Sequence, residues 1–182
     1  MIGNIAAGLY GVGVTPSTTS YENIATVTVG SGGSSTITFS SIPSTYKHLQ
    51  IRGMNLASAS TADIRIRFNS DTSSNYKYHF LYGDGSSAAA GNYSATYITF
   101  SLGSMATDKP SISVTDILDY TSTSKNKTVR SLMGTDGNGS GYTVLYSGLW
   151  YATPAAITQI DISPNSGTFN QYTQYAVYGI KD

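Results

Sequence analysis

The stretch that decides the fold is I-R-I-R-F at residues 64–68, where apolar and charged side chains alternate without a break. In an extended strand the three apolar side chains would share one face, and the two arginines would share the other. The same alternation occurs in H-L-Q-I-R at residues 48–52. Period-two patterning of this kind predicts half-buried β-strands whose apolar faces are directed into a core.

Similar short runs, separated by turn residues, continue from residue 21 to the C-terminal end. They predict strands at residues 24–29, 35–39, 48–52, 64–68, 76–82, 96–102, 111–119, 127–133, 142–151, 157–162 and 172–180. About ten to twelve strands, with no convincing helical stretch, predict an all-β fold, namely an antiparallel β-sandwich of jelly-roll type. We expect a single sandwich domain over residues 21–182, preceded by an extended N-terminal arm over residues 1–20.

Two local features accompany this prediction. The linker G-S-G-G at residues 30–33 easily supplies the positive φ values of a hairpin, which would join strands 24–29 and 35–39 with Ile37 and Phe39 facing inward. In S-V-T-D-I-L-D-Y, residues 113–120, the apolar spacing also fits a helical stripe. A strand there needs a β-bulge near Thr115 or Asp116.

The composition excludes several classes of function. The chain has 182 residues, of which 40% are hydrophobic and 11% are charged, and it contains no cysteine. There is therefore no disulfide framework and no thiolate zinc site. Ten basic residues balance ten acidic ones, so the chain lacks the charge that would attract nucleic acid or an anionic membrane. The 27 serines, 23 threonines and 15 tyrosines predict a surface rich in hydroxyl groups.

The first fourteen residues, M-I-G-N-I-A-A-G-L-Y-G-V-G-V, are apolar but lack the features of a signal peptide. The first basic residue of the chain is Lys47, and four glycines interrupt the run. The segment suits an arm that docks on a partner, and the alternative is a frayed terminus. The predicted docking residues are Met1, Ile2, Ile5, Leu9 and Tyr10.

The sequence offers no catalytic constellation. His48 and His79 both alternate with apolar or aromatic residues on predicted strands, which favours a sheet-face position over a general base. The nucleophile-elbow, zincin, P-loop and dinucleotide motifs are all missing. Glycosidase chemistry needs two facing carboxylates. Asp116 and Asp119 have an odd separation, which places them on opposite faces of one strand unless a bulge intervenes. The sequence therefore predicts a protein that is not an enzyme, with no cofactor and no bound metal.

The run D-G-N-G-S-G at residues 136–141 matches the first half of a calcium-binding EF-hand loop. The twelfth position of such a loop would be Ser147, where a bidentate Glu is required. We therefore interpret the run as a hairpin turn, with calcium binding as the minor alternative.

Aromatic side chains recur at alternate positions of two predicted strands. They could form a contact surface for a sugar or a subunit, although such ladders are more often cross-strand pairs that stiffen a sheet. The residues of this candidate surface are Tyr76, Tyr78, Tyr82, Tyr142, Tyr146 and Trp150.

Several runs together resemble a family of small structural proteins of tailed-bacteriophage virions. They are I-P-S-T-Y-K-H-L-Q-I-R (42–52), R-F-N-S-D (67–71), N-Y-K-Y-H-F-L-Y-G-D-G-S-S (75–87), D-I-L-D-Y (116–120), K-T-V-R-S-L (127–132), N-G-S-G-Y (138–142) and Q-Y-T-Q-Y-A-V-Y-G-I-K (171–181). The resemblance covers nearly the whole chain from residue 21, and the first eleven residues also look like members of this group.

This resemblance implies a jelly-roll domain, assembly as a trimer and attachment to a capsid or tail, with no catalytic residues. The first hypothesis is a capsid decoration (cement) protein, a homotrimer that binds the major capsid protein on the outer surface of the virion. The alternative is a tail-fibre or receptor-binding protein that recognises host surface glycans. A third hypothesis, a free carbohydrate-binding module, would use Trp150 and neighbouring tyrosines as a stacking platform.

Overall fold

The computed structural model describes residues 20–59, 62–103, 108–152 and 154–181, and within these ranges every regular element is a β-strand. The strands are β1 (Tyr21–Thr28), β2 (Ile37–Phe39), β3 (His48–Asn55), β4 (Asp63–Phe68), β5 (Tyr76–Gly83), β6 (Ala88–Ala95), β7 (Ile98–Leu102), β8 (Ser111–Ile117), β9 (Lys127–Asp136), β10 (Gly141–Trp150), β11 (Ile160–Pro164) and β12 (Gln174–Ile180). The predicted all-β class and strand number are confirmed.

The strands form two antiparallel sheets that make a β-sandwich. The wide sheet has the order β1-β12-β3-β8-β9-β10-β5-β6, and the narrow sheet has the order β2-β11-β4-β7. β8, β9 and β10 follow one another along the chain and lie side by side as a meander. The jelly-roll connectivity stays a prediction.

The core lies between the two sheets, where the alternating patterns place it. Ile64, Ile66 and Phe68 on β4 are fully buried, as are Leu49 and Ile51 on β3. The inward orientation predicted for these two strands is confirmed. Alternation fixes these faces because successive side chains of a strand point to opposite sides of the sheet.

The predicted hairpin between the first two strands is wrong. β1 pairs with β12 in the wide sheet, whereas β2 pairs with β11 in the narrow sheet. The glycine-rich linker does turn the chain, with Gly33 at φ 70°, but it leads from one sheet to the other. The connection from β11 to β12 runs alongside it, joined by a bridge between Ser34 and Phe169. Ile37 and Phe39 face inward as predicted.

The predicted bulge near Thr115 or Asp116 is also wrong. β8 pairs with both neighbours in unbroken register, from Ile112 to Ile117 along β9. The apparent helical stripe has a simpler origin, because Val114 faces outward while Ile117 faces the core. The strand ends at Ile117, two residues earlier than predicted.

One strand, β6, has no counterpart among the predicted strands. Its sequence is A-A-A-G-N-Y-S-A, and alanine and glycine are depleted in strands. It forms a hairpin with β5 through a turn in which Asp84 accepts backbone hydrogen bonds from Ser86 (2.9 Å) and Ser87 (2.7 Å). These bonds hold the pKa of the Asp84 carboxyl well below its usual range. The D-G pair at residues 84–85 is the sequence feature that indicates the hairpin between β5 and β6.

The two sheets differ in width, with eight strands against four, so the narrow sheet leaves part of the wide one uncovered. β7, at the edge of the narrow sheet, packs across β8, β9, β10 and β5. β6 lies beyond β5 at the edge of the wide sheet. Tyr93 on β6, which pairs with the buried Tyr78, is therefore 55% exposed although it faces the same side.

Candidate functional site

One central strand of the wide sheet, β8, has an inverted pattern, with hydroxyl side chains inward and aliphatic side chains outward, and the neighbouring strand β9 repeats this pattern locally at Ser131 and Leu132. On β8, Thr115 is buried and Ile112 is 60% exposed. On β9, Ser131 is buried and Leu132 is 56% exposed. The Thr115 and Ser131 hydroxyl oxygens lie 2.7 Å apart and share a hydrogen bond. A sheet whose outer face met only water would be expected to show the opposite arrangement.

The outward aliphatic side chains form one continuous surface across five strands. Val114 is in register with Leu132, Leu132 with Leu145, and Leu145 with Leu81. Neighbours in register have Cβ atoms roughly 5 Å apart. We call the following residues, each 39–60% exposed, the apolar stripe: Met54, Leu81, Ile112, Val114, Leu132 and Leu145. A contiguous exposed apolar patch of this kind marks an interaction surface.

A network of polar side chains borders the apolar stripe on one side. Gln50 Nε2 donates a hydrogen bond to Asp116 Oδ1 (2.9 Å), and Arg52 Nε donates one to Gln50 Oε1 (2.9 Å). Arg130 Nη2 lies 3.6 Å from Asp116 Oδ2. An apolar centre with a polar margin is the usual anatomy of a protein interface.

The structure corrects the predicted aromatic contact surface. Tyr76, Tyr78, Tyr146 and Trp150 are each at most 5% exposed and belong to the core. The rest of the protein covers these four side chains, so they do not form an exposed contact surface, and Trp150 cannot form the stacking platform of a carbohydrate-binding module. These aromatic residues alternate along their strands because they share the inward face of the sheet. This is the arrangement that the cross-strand pairing interpretation describes.

Trp150 is held by a hydrogen bond at the end of the sandwich. Its Nε1 donates to Asp71 Oδ2 (2.8 Å), and Asn75 Nδ2 also donates to Asp71 Oδ2 (2.9 Å). Burial by itself would raise the pKa of the Asp71 carboxyl, but these bonds and one from the Ser73 backbone hold that pKa below its ordinary value of 3.8. The carboxylate therefore fastens the loop after β4 to the core tryptophan.

The lowered pKa of Asp71 predicts a specific dependence of stability on pH. A carboxyl whose folded-state pKa is depressed adds stability that is present above its unfolded-state pKa and is lost as pH falls through the folded-state pKa. The variant Asp71→Asn keeps an oxygen acceptor for Trp150, and we expect it to lose less stability than wild type as the pH falls from about 5 to about 2, through the ordinary carboxyl range. Urea denaturation across this range is the measurement, and identical pH profiles would contradict the assignment.

The other two predicted aromatic residues, Tyr82 and Tyr142, line a cavity of about 350 Å³ together with the buried Tyr78 and Tyr146, where the wide sheet extends past the narrow one. Their rings meet at 70° with centroids 6.0 Å apart. Phe80 stacks on Tyr93 at 14° with centroids 6.0 Å apart. We call this space the aromatic cavity; it is lined by Asp63, Tyr78, Phe80, Tyr82, Tyr93, Tyr97, Thr99, Leu102, Tyr142, Val144 and Tyr146.

Asp63 is the one acidic side chain among the described residues that line the aromatic cavity. Burial raises the pKa of its carboxyl, and the nearby Arg65 opposes this shift. No described residue donates a hydrogen bond to this carboxylate or forms a salt bridge with it. The Arg65 guanidinium instead lies 3.9 Å from the centroid of the Tyr97 ring, and its Nη2 donates to Tyr97 Oη (3.1 Å).

His48 lies beside Asp119, with its Nδ1 3.7 Å from Asp119 Oδ1, whereas His79 and Asp116 lie elsewhere in the wide sheet. His48 Nδ1 accepts the backbone N–H of Asp119 (3.0 Å), and His79 lies on the outer face of β5 opposite Asn92. The Asp119 carboxylate accepts a hydrogen bond from Lys125 Nζ (3.0 Å), which is the largest of the interactions that lower its pKa. Asp116 is held in the polar network beside the apolar stripe. Each carboxylate thus has its own basic partner.

The run at residues 136–141 forms the hairpin turn between β9 and β10, as predicted. Asn138 and Gly139 adopt φ values of 63° and 100°, which is the left-handed geometry of a tight hairpin turn. Asp136 Oδ1 accepts the backbone N–H of Asn138 (2.8 Å). Over the part of the chain that the structure describes, no group of three or more His, Cys, Asp or Glu side chains is arranged to hold a metal ion.

The predicted docking residues of the arm, Met1, Ile2, Ile5, Leu9 and Tyr10, lie outside the described residues, so their role stays a prediction. Within the described ranges there is no helix that could cross a membrane. Comparison with protein-family models, curated proteins and solved structures finds no match for this chain. What the protein does is therefore inferred from its own residues.

Proposed function

We propose that this chain is a non-enzymatic structural protein of a tailed-bacteriophage virion, and specifically a capsid decoration protein that binds the outer shell and stabilises the head. The family resemblance of the sequence suggests the virion. The apolar stripe supports a role in adhesion, and it is the observation on which the proposal rests. In this role the outer face of the wide sheet binds the major capsid protein.

The inverted pattern of β8, which continues at Ser131 and Leu132 of β9, is the physical reason for assigning adhesion to this face. Ile112 and Leu132 would stabilise the fold if they were buried in the core, yet the register directs buried hydroxyls there instead. Burial of apolar surface is favourable by about 25 cal/mol per Å². A partner that covers the apolar stripe would therefore gain binding free energy from side chains that are exposed to water in the isolated chain. A protein that binds only the assembled shell stabilises that shell by mass action.

The apolar stripe is tested by placing charges at its centre. The variant Leu132→Asp/Leu145→Asp should bind particles that lack the protein at least about tenfold more weakly than wild type, because docking would bury unpaired carboxylates. Both side chains are outward and about half exposed, so the fold should persist. Quantitative co-sedimentation with particles measures binding.

The matched control is Ser94→Asp, which adds a charge to an exposed position of β6 away from the apolar stripe. It should bind as wild type does. Unchanged binding by the double aspartate variant, with urea denaturation showing a folded protein, would refute the binding of this face to the shell.

Sedimentation velocity on the free proteins tests the proposed homotrimer. If the trimer dissociates only in the double aspartate variant, the apolar stripe forms contacts between copies of the chain.

The N-terminal arm has its own test. Removing residues 1–20 should abolish attachment to particles while leaving a folded oligomer, because the arm is proposed to supply apolar anchors. Retained attachment would contradict the arm hypothesis without affecting the apolar stripe.

Labelling the protein on intact particles separates the two virion roles. Label spread over the head is the expected result for a decoration protein. Label confined to the tail tip would overturn this role in favour of the tail-fibre or receptor-binding alternative, which would also predict that the purified protein blocks adsorption to host surface carbohydrate.

A further inference from the structure

Seven of the eleven described residues that line the aromatic cavity are aromatic. An unbroken series of ring contacts runs from Tyr97 through Tyr78 and Tyr93 to Phe80, with centroid separations of 5.4–6.4 Å. Phe80 continues the series to Tyr82 (6.1 Å). The faces of aromatic rings carry partial negative charge. A volume of about 350 Å³ lies within the range of small-molecule sites, at its lower end.

The one formal charge in the described lining adds to this negative potential. The Asp63 carboxylate is partly desolvated and has neither a hydrogen bond nor a salt bridge among the described residues. Taking a carboxylate out of water is costly unless a cation or a donor compensates it. Arg65, the basic residue whose charge acts on this carboxylate, is engaged with the ring and hydroxyl of Tyr97.

We propose that the aromatic cavity is a binding site for a small organic cation of the quaternary-ammonium type, such as a choline group. Several aromatic faces with one carboxylate are the arrangement that recognises such cations, since the rings replace water around the methyl groups and the carboxylate neutralises the charge. This site is distinct from the apolar stripe, which lies on the opposite face of the wide sheet, and the proposal does not depend on the virion role.

A sugar is the ligand that this lining fits less well. The described lining contains no Asn, Gln, Lys or Arg side chain, and the Thr99 hydroxyl already donates to Tyr78 Oη (3.1 Å). A neutral ring would gain stacking but little from the negative potential, whereas a cation gains from both.

The proposal is tested by comparing choline with its uncharged isostere 3,3-dimethylbutan-1-ol, using isothermal titration calorimetry on the full chain. Choline should bind at least tenfold more tightly, because the two molecules share size and shape but differ in charge. Phosphocholine is titrated in parallel. If it binds as tightly as choline or more tightly, the natural ligand is the exposed end of a larger headgroup. If it binds more weakly, the natural ligand is the free cation.

Two variants locate the site. Asp63→Asn, which is nearly isosteric, should weaken choline binding at least tenfold and leave the weak affinity for the isostere unchanged. Tyr93→Ala removes a half-exposed wall and should weaken both. Equal affinity of wild type for choline and its isostere, tighter binding of methyl glucoside than of choline, or no binding of choline at all would overturn the proposal. Nuclear magnetic resonance spectra of each variant check that the fold is retained.

Discussion

Trp150→Ala is expected to lower the free energy of unfolding by about 3–5 kcal/mol, the usual cost of truncating a buried tryptophan. Trp150 is 4% exposed, and its ring centroid lies 5.6 Å from that of Phe68 and 6.3 Å from that of Tyr76. Truncation would leave a cavity between these rings and would remove the Nε1 donor from Asp71. Urea denaturation followed by far-ultraviolet circular dichroism measures the change.

Two controls separate packing from hydrogen bonding. Trp150→Phe keeps an aromatic ring but loses the donor, and its cost should be smaller, about 1–3 kcal/mol. Leu118→Ala truncates a side chain that is 46% exposed and should cost at most about 0.5 kcal/mol. A tryptophan truncation that costs no more than Leu118→Ala would show that Trp150 is not part of the core, and would restore the stacking-platform hypothesis.

Gly53→Ala should destabilise the protein by about 1–3 kcal/mol or more, because it would overpack a site that cannot relax. A Cβ atom at Gly53 would lie 2.2 Å from Cε1 and 2.7 Å from Cδ1 of Tyr175. Tyr175 is fully buried, and its ring packs against Phe100 (6.2 Å) and Phe169 (5.8 Å). The ring therefore has no free space into which it could move.

The matched control is another glycine of the same sheet. Gly134 lies in the interior of β9, and a Cβ atom added there would have no atom within 4 Å, so Gly134→Ala should be neutral or stabilising by up to about 1 kcal/mol. Combining Gly53→Ala with Tyr175→Leu should cost less than the sum of the two single changes, since the smaller side chain relieves the overlap. Strict additivity, or equal effects at Gly53 and Gly134, would contradict the close approach.

The corrections to the sequence-based picture share a physical cause. The G-S-G-G linker has the conformational freedom of a hairpin turn, yet β1 and β2 find their partners β12 and β11 more than a hundred residues away. Local sequence reports where a chain can turn. Which strand pairs with which depends on the burial and hydrogen bonding that the whole sandwich offers.

The candidate sites show the same division. The S-I-S-V-T pattern at residues 111–115 indicates that Ile112 and Val114 share a face, but it cannot say whether that face is inside. The tyrosines of β5 and β10 also share a face. Four of them line the aromatic cavity, but Tyr78 and Tyr146 are buried while Tyr82 and Tyr142 are partly exposed, because β7 packs over only part of the wide sheet.

By itself, the sequence determined the all-β class, the inward faces of β3 and β4 and the tight turn at residues 136–141, because alternation and turn chemistry are local properties of the chain. Only the tertiary structure decided the two-sheet pairing, the outward orientation of the apolar stripe and the position of the aromatic cavity. These features depend on which distant strand covers each face, and a pattern of period two is the same on either side of a sheet.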